Sequence, residues 1–170
     1  MGKVILYIAS SLDGYVAREN GNIDWLPESG TSGYDKFYKT IDTVVMGNTT
    51  YKQILTFGEY PYKDKKSFVF TRKNNDKTKD ENVKFVPDVD KFVKDVLPNL
   101  HGNIWLVGGG QLISSFVNRG ILDEIILSII PIVLGNGISL FQNIQKETNL
   151  ELIKTTSYTK LVELHYRVLK

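Results

Sequence analysis

The sequence predicts an α/β domain: a mixed, mostly parallel central sheet flanked by helices, with an antiparallel strand tail at its C-terminal end. Three observations predict it. Short apolar runs at residues 3–10, 42–47, 67–71, 83–86 and 104–107 alternate with loops and segments of helical spacing as far as Gly120. Two of those runs end in glycine and pass at once into a helix, at Gly47 and at Gly108-Gly109-Gly110. After Asp123 the helical spacing stops, and strand-like runs follow one another across short turns.

Residues 3–10 read as a buried strand, broken by Ser11-Leu12-Asp13-Gly14. Asp13 stands just past the strand's carboxyl end, where open α/β sheets place ligands. An Asx-turn ahead of Gly14 is the other role open to it, and the two can coexist. Residues 18–30 are a polar loop carrying Trp25, whose indole either plugs the core or belongs to a lid over a site. Tyr34, Phe37, Tyr38 and Ile41 share a helical stripe, with Asp35 on its flank, either facing a cleft or solvated. Strand 42–47 follows, and Asn48-Thr49-Thr50 offers N-capping side chains to a helix through Tyr51, Ile54 and Leu55. Strand 67–71 ends at Arg72 and Lys73, cations that suit a phosphate or simply a soluble strand end. A polar turn at 73–82 leads to strand 83–86 and a helix over 88–97, closed by Pro98 and Gly102.

Ile104, Trp105, Leu106 and Val107 then lead into three glycines and a helix through Leu112, Ile113, Phe116 and Val117. Bare backbone beside a helix N-terminus, with its free N–H groups and positive dipole end, suits a phosphate-bearing ligand. A tight turn packed on the sheet would use the same residues. The stretch lacks the last glycine of a Rossmann fingerprint, and no Gly-Lys-Ser/Thr of a P-loop follows. Together with the junction at Gly47, it could hold one elongated ligand by two phosphates. In the tail, 124–133 is a long apolar run interrupted by Ser128 and Pro131, the proline marking a bend or an edge. Residues 150–158 and 161–169 form two further strands across a hairpin turn at Tyr158-Thr159-Lys160.

A chain of 170 residues with 42% apolar composition fits one domain spanning 1–170. A net charge of +2 gives no footprint for nucleic acid. With no cysteine and only His101 and His165, thiolate or histidine metal centres and cysteine nucleophiles are not expected. The first apolar run is too short for a signal peptide, and no stretch approaches the roughly 20 apolar residues that span a bilayer. The expectation is a soluble cytoplasmic protein acting on a small molecule, with neither nucleic acid nor membrane as partner.

The order of short motifs resembles the dihydrofolate-reductase-like superfamily, in particular the reductase domain of riboflavin-biosynthesis proteins. The motifs are Ser11-Leu12-Asp13-Gly14-Tyr15-Val16-Ala17, Gly21-Asn22-Ile23-Asp24-Trp25-Leu26 and Met46-Gly47-Asn48-Thr49-Thr50-Tyr51. Phe70-Thr71-Arg72-Lys73, Val107-Gly108-Gly109-Gly110 and Pro131-Ile132-Val133-Leu134-Gly135-Asn136-Gly137 with Leu140-Phe141 complete the set. The resemblance implies an NADPH-dependent reductase. By it, Val107, Gly108, Gly109, Gly110 and the helix start at Gln111 and Leu112 cradle the pyrophosphate, and Gly47, Asn48, Thr49 and Thr50 contribute from the other side. Thr71, Arg72 and Lys73 match the stretch that holds the adenosine 2′-phosphate, while Ala9 and Ile23 line the nicotinamide pocket beneath the Trp25 loop. It also implies a homodimer paired through the sheets, for which the run at 125–133 is one candidate surface, unless that run is a central strand.

Three departures shape the functional expectation. Dihydrofolate reductases carry a carboxylate on the helix after the Trp loop, and Gly33 falls near that place, with Asp35 two residues on. Asn48 stands where many members have an Arg that contacts the cofactor phosphate, so a charge-assisted contact is replaced by an amide. Phe57-Gly58-Glu59-Tyr60-Pro61-Tyr62 and Tyr15 replace residues common in riboflavin reductases. The leading reading is hydride transfer from NADPH to a small heterocyclic or ribosyl acceptor. Asp13 and Asp35 are the candidate catalytic acids, and Asp13, Trp25 and Asp35 the candidate substrate contacts. An accessory dihydrofolate reductase and a non-catalytic NADPH-binding module are the rivals.

Overall fold

The structure is a computed structural model that describes residues 2–73 and 77–170, so part of the polar turn expected at 73–82 lies outside the described residues. In chain order it contains β1 (Val4–Ser11), β2 (Tyr15–Ala17), α1 (Tyr34–Tyr38), β3 (Ile41–Gly47), α2 (Asn48–Leu55), β4 (Lys66–Phe70) and β5 (Val83–Val86). There follow α3 (Val89–Lys91), β6 (Asn103–Gly108), α4 (Gly110–Asn118), β7 (Glu124–Ile130), β8 (Ile138–Ser139), β9 (Leu150–Ser157) and β10 (Val162–Val168).

Eight strands make one sheet in the order β5-β4-β3-β6-β1-β7-β10-β9. From β5 to β7 all neighbours run parallel, and β10 pairs antiparallel with both β7 and β9. The chain therefore winds outward from β3 to β5, returns through β6 beside β1, and ends in the antiparallel tail. β7, the strand inside the apolar run at 125–133, is paired on both edges. That run is a central strand, so its apolar character is explained by its own domain.

Period-two alternation divides the strand residues between two cores. Leu6, Val45, Ile104 and Leu106 face Phe92, Leu112, Ile113 and Phe116. Ile5, Tyr7, Val44, Met46 and Trp105 face the opposite side, against Phe37, Tyr51, Tyr60 and Tyr62. Each such side chain contributes about 1.5–3 kcal/mol by leaving water. The second core is aromatic: Trp105 has the rings of Tyr7, Tyr34, Phe37, Tyr38 and Tyr62 within 5.2–6.5 Å, and its indole N–H donates to the Tyr7 carbonyl at 3.1 Å. An indole so enclosed needs that internal acceptor.

Local structure departs from expectation in four places. Ile41 opens β3 instead of extending the stripe of α1, because the helix stops after Tyr38. The helix expected over 88–97 starts with Asp88 capping the Lys91 N–H at 2.7 Å, then loosens to a π turn at Phe92–Val96 and tightens to a 3₁₀ turn at Leu97–Asn99. Pro98 cannot donate to an α ladder, which accounts for the change at that end. The N-cap of α2 is Gly47, with no side-chain cap, so Asn48, Thr49 and Thr50 lie in its first turn and do not cap it. The small sheet of β2 with β8 was not expected, since three and two residues are too short to show a period.

Candidate active site

The carboxyl ends of the parallel strands bring the predicted junctions together. β4, β3, β6 and β1 are consecutive in the sheet, and Gly47 pairs with Phe70 on one side while Met46 pairs with Gly108 on the other. Thr71 and Arg72 thus emerge beside the Gly47 turn, and the Gly108 turn emerges between it and β1. The approach is close. A Cβ on Gly47 would lie 3.8 Å from the Gly109 nitrogen, and one on Gly109 would lie 3.5 Å from Thr50 Oγ1. Gly108 has φ of +137° and is joined to Gly109 by a cis peptide. An L side chain rarely adopts that φ, so glycine is required at 108.

Both helices that leave this ridge begin without a side-chain cap. The N-cap of α4 is Gly109, and the N–H of Ile113 already serves the Gly109 carbonyl, so the N–H groups of Gly110, Gln111 and Leu112 form the open first turn. Leu112 contributes through its backbone only, because its side chain is buried in the core with Ile113 and Phe116. Two uncapped helix starts and a ridge without side chains form a backbone cradle of positive dipole ends. Arg72 and Lys73 are exposed at its outer edge. From β4 to β1 the ridge crosses three strand spacings, about 14 Å, a length suited to an extended dinucleotide. These residues fit NADPH: cations at one end, backbone cradles in the middle, Ala9 at the other.

The segments over the mouth are tied down by hydrogen bonds. Asp13 accepts the Leu134 N–H at 3.1 Å and the Gly135 N–H at 2.8 Å, with Ser11 Oγ donating at 2.7 Å. The Ser11 hydroxyl first, then the two backbone N–H groups, hold the Asp13 carboxyl below its usual range. That is the opposite direction from the one a proton donor near neutral pH requires. Asp13 is therefore the staple between the β1 turn and the 131–137 loop. Asp35 is exposed in the first turn of α1, and Gly33 at the start of that helix carries no acid. The loop around Ile23 and Trp25 docks on α2, where Gln53 Nε2 donates to the Gly21 carbonyl at 2.9 Å. The Trp25 indole N–H is buried without a partner among the described residues.

On the α1 side of β1, β7 and β10, the structure adds a cluster that sequence reasoning missed. Tyr7 Oη donates to Glu163 Oε2 at 2.9 Å and hydrogen-bonds Ser32 Oγ at 3.2 Å. Ser128 Oγ reaches the same carboxylate oxygen at 3.5 Å. Burial, with the Glu163 charge adding to it, pushes the Tyr7 phenol well above its ordinary value, so it stays protonated as a donor. No motif marks these residues, which come from four separate stretches of chain. Among the described residues no cluster of His, Cys, Asp and Glu could hold a metal, and no helix is long and apolar enough to cross a membrane. A groove of about 780 Å³ lies at the other end of α4, between Val117, Leu122, Phe141, Leu150 and Val168, away from the glycine ridge.

Comparison with known proteins agrees with this architecture. The chain is 41% identical over 169 residues to the uncharacterized protein YwjB of Bacillus subtilis (strain 168), covering 96% of this chain and 97% of that one. Its structure is similar to a putative riboflavin biosynthesis protein from Shewanella sp. PV-4, with a TM-score of 0.88, 26% identity and 99% of each chain covered. It also matches a diaminohydroxyphosphoribosylaminopyrimidine deaminase/5-amino-6-(5-phosphoribosylamino)uracil reductase from Thermotoga maritima, at TM-score 0.76 and 15% identity, covering 99% of this chain and 57% of that one. Dihydrofolate reductase from Enterococcus faecalis, solved with NADP(H), shares the fold at TM-score 0.69 and 16% identity, with 99% and 98% covered. The family model of the RibD C-terminal domain matches residues 61–164, more than half of the sequence. With a dihydrofolate-reductase-like fold and that match, the chain belongs to the RibD C-terminal domain family.

Proposed function

We propose that this protein is an NADPH-dependent reductase of the 5-amino-6-(5-phosphoribosylamino)uracil reductase type, acting on a small heterocyclic or ribosyl-bearing acceptor. One observation carries the reading: two uncapped helix starts and the Gly47 and Gly108–Gly109 turns converge on adjacent strand ends, with Arg72 and Lys73 at the rim. The name of the Thermotoga maritima neighbour and the NADP(H) of the Enterococcus faecalis one support it. The folate-reductase rival lacks a carboxylate where α1 begins, at Gly33.

When bound, the reduced nicotinamide supplies the hydride. The chain's part is to hold and orient. The first turns of α2 and α4 bind the phosphates by backbone N–H groups, and Arg72 and Lys73 hold the 2′-phosphate. Ala9 and Ile23 flank the ring site, and the Trp25 loop excludes water above it. Asp35 is the remaining candidate for holding a proton near the acceptor. If Asp35→Asn leaves the pH profile of turnover unchanged, the proton comes from water.

Trp105 is sealed in the aromatic core, so cofactor binding should quench the fluorescence of Trp25. A titration with NADPH that shows quenching, followed by NADPH consumption with an aminopyrimidine or related acceptor, supports the proposal. No binding at millimolar NADPH sinks it. Tight binding with no turnover against a broad acceptor panel turns the reading to the non-catalytic module.

A further inference from the structure

The loop that carries Ile23 and Trp25 is folded on itself. The Arg18 N–H donates to the Asn22 carbonyl at 3.0 Å, the Arg18 carbonyl accepts the Gly21 N–H at 2.8 Å, and its guanidinium closes on Asp24 at 2.7 Å. Asn20 and Asn22 turn their side-chain carbonyls to the N–H groups of Asn22 and Asp24. All of these bonds begin and end inside the loop. Its entry is fixed, since Ala17 ends β2 and pairs with Ile138 of β8. Its tip has no packing of its own: a Cβ on Gly21 would meet no atom within 4 Å.

What ties the tip to the body of the domain is Gln53, whose Nε2 donates to the Gly21 carbonyl at 2.9 Å. A carbonyl only accepts, so the NH2 end of the Gln53 amide must face it. Gln53 stands in the second turn of α2, and the first turn of that helix is half of the phosphate cradle. The helix is itself anchored. Tyr51 is buried, packs edge-on against Tyr60 and Phe85, and shares a hydrogen bond of 2.7 Å with Thr78. One short, fixed helix thus carries the cradle at its start and the loop tip on its next turn. The Trp25 indole N–H, buried without an acceptor among the described residues, is a donor whose place depends on where the loop is seated.

We propose that Gln53 is a positioning residue: by holding the Gly21 carbonyl it seats the Trp25 loop against α2, so that the ring end of the dinucleotide is covered from the helix that binds its phosphates. The seat rests on geometry alone, and what it covers rests on the reductase reading. Loss of the tether frees the loop and weakens a ligand that reaches under it. A ligand that ends at the phosphates is left as it was.

The test uses the full chain with two variants. Gln53→Glu keeps the shape and sets an acceptor against the carbonyl, and Gln53→Met keeps the length without a polar end. Trp105 is sealed in the aromatic core, so acrylamide quenching reads Trp25, with Trp25→Phe as the background. Both variants should at least double the quenching constant at an unchanged melt. They should weaken NADPH about three- to tenfold, as expected for one hydrogen bond, and leave the affinity for 2′,5′-ADP, which has no nicotinamide, unchanged. A merely structural role would weaken both nucleotides together. Equal losses of NADPH and 2′,5′-ADP therefore overturn the proposal, as does a quenching constant unmoved in both variants. A wild type that binds neither nucleotide retires the reductase reading, and quenching then decides the seat alone: a doubled constant keeps it and an unchanged one removes it.

Discussion

The two halves of the sheet's carboxyl edge are built from different materials. At β4, β3 and β6 the site is backbone: glycines at 47, 108 and 109, two uncapped helix starts, and cations only at the rim. At β1, β7 and β10 it is side chain: Tyr7, Ser128 and Glu163 hydrogen-bonded across three strands, with Ser32 above them. The difference matches what each half would hold. Phosphate is the same in every nucleotide, and fixed N–H dipoles recognise it at no side-chain entropy cost. An acceptor is particular, and it is distinguished by donors and acceptors whose identity can vary while the fold stays.

The comparison can be broken by substitution, starting from the largest expected effect. Gly108→Ala forces an L side chain to φ of +137° and should cost about 1–3 kcal/mol of stability. It should also weaken NADPH by more than tenfold, read by thermal melt and fluorescence titration. Arg72→Ala should weaken NADPH by roughly ten- to a hundredfold, the loss of one charge-assisted contact of roughly 1.5–3 kcal/mol, and leave NADH nearly unchanged. Equal losses for both nucleotides would move the 2′-phosphate elsewhere. Tyr7→Phe should do the converse: removing the phenol that donates to the Glu163 carboxylate loses one charge-assisted hydrogen bond and should lower the thermal melt, with NADPH affinity intact. If NADPH suffers instead, the two halves are not separable.

The smallest effect concerns Asp13. Its folded-state pKa is lowered, by Ser11 first and then by the Gly135 and Leu134 N–H groups, so it stabilises the fold above its unfolded value of 3.8. That contribution is lost as pH falls through the lower folded value. Asp13→Asn should therefore lower Tm modestly at pH 7, and the gap to wild type should close in acid. A gap that stays constant from neutral to acid pH would show that the charge plays no part in the staple.

The glycine half was legible because each of its parts is contiguous in sequence. Gly47 with α2, and Gly108-Gly109-Gly110 with α4, are strand-to-helix turns whose residue types follow from local geometry. Their convergence could be inferred, since consecutive parallel strands put all such turns at one edge. Asp13 was placed correctly past β1, but its partners, the 134–135 N–H groups, come from the far end of the chain, and they change a candidate acid into a staple. The hydroxyl–carboxylate cluster was not legible at all. Residues 7, 32, 128 and 163 lie in different elements, and only the pairing of β10 with β7 and of β7 with β1 sets Glu163 in line with Ala9.

By itself the sequence determined the strand-helix alternation, the glycine turns and the antiparallel tail, because these depend on the period of apolar residues and on the backbone freedom of single positions. Only the tertiary structure decided the strand order, the register and hence which face of the sheet Glu163 shares with Tyr7 and Ser128. Those depend on contacts between distant residues. A register slip of one residue would turn Glu163 to the other face of the sheet without altering any local pattern.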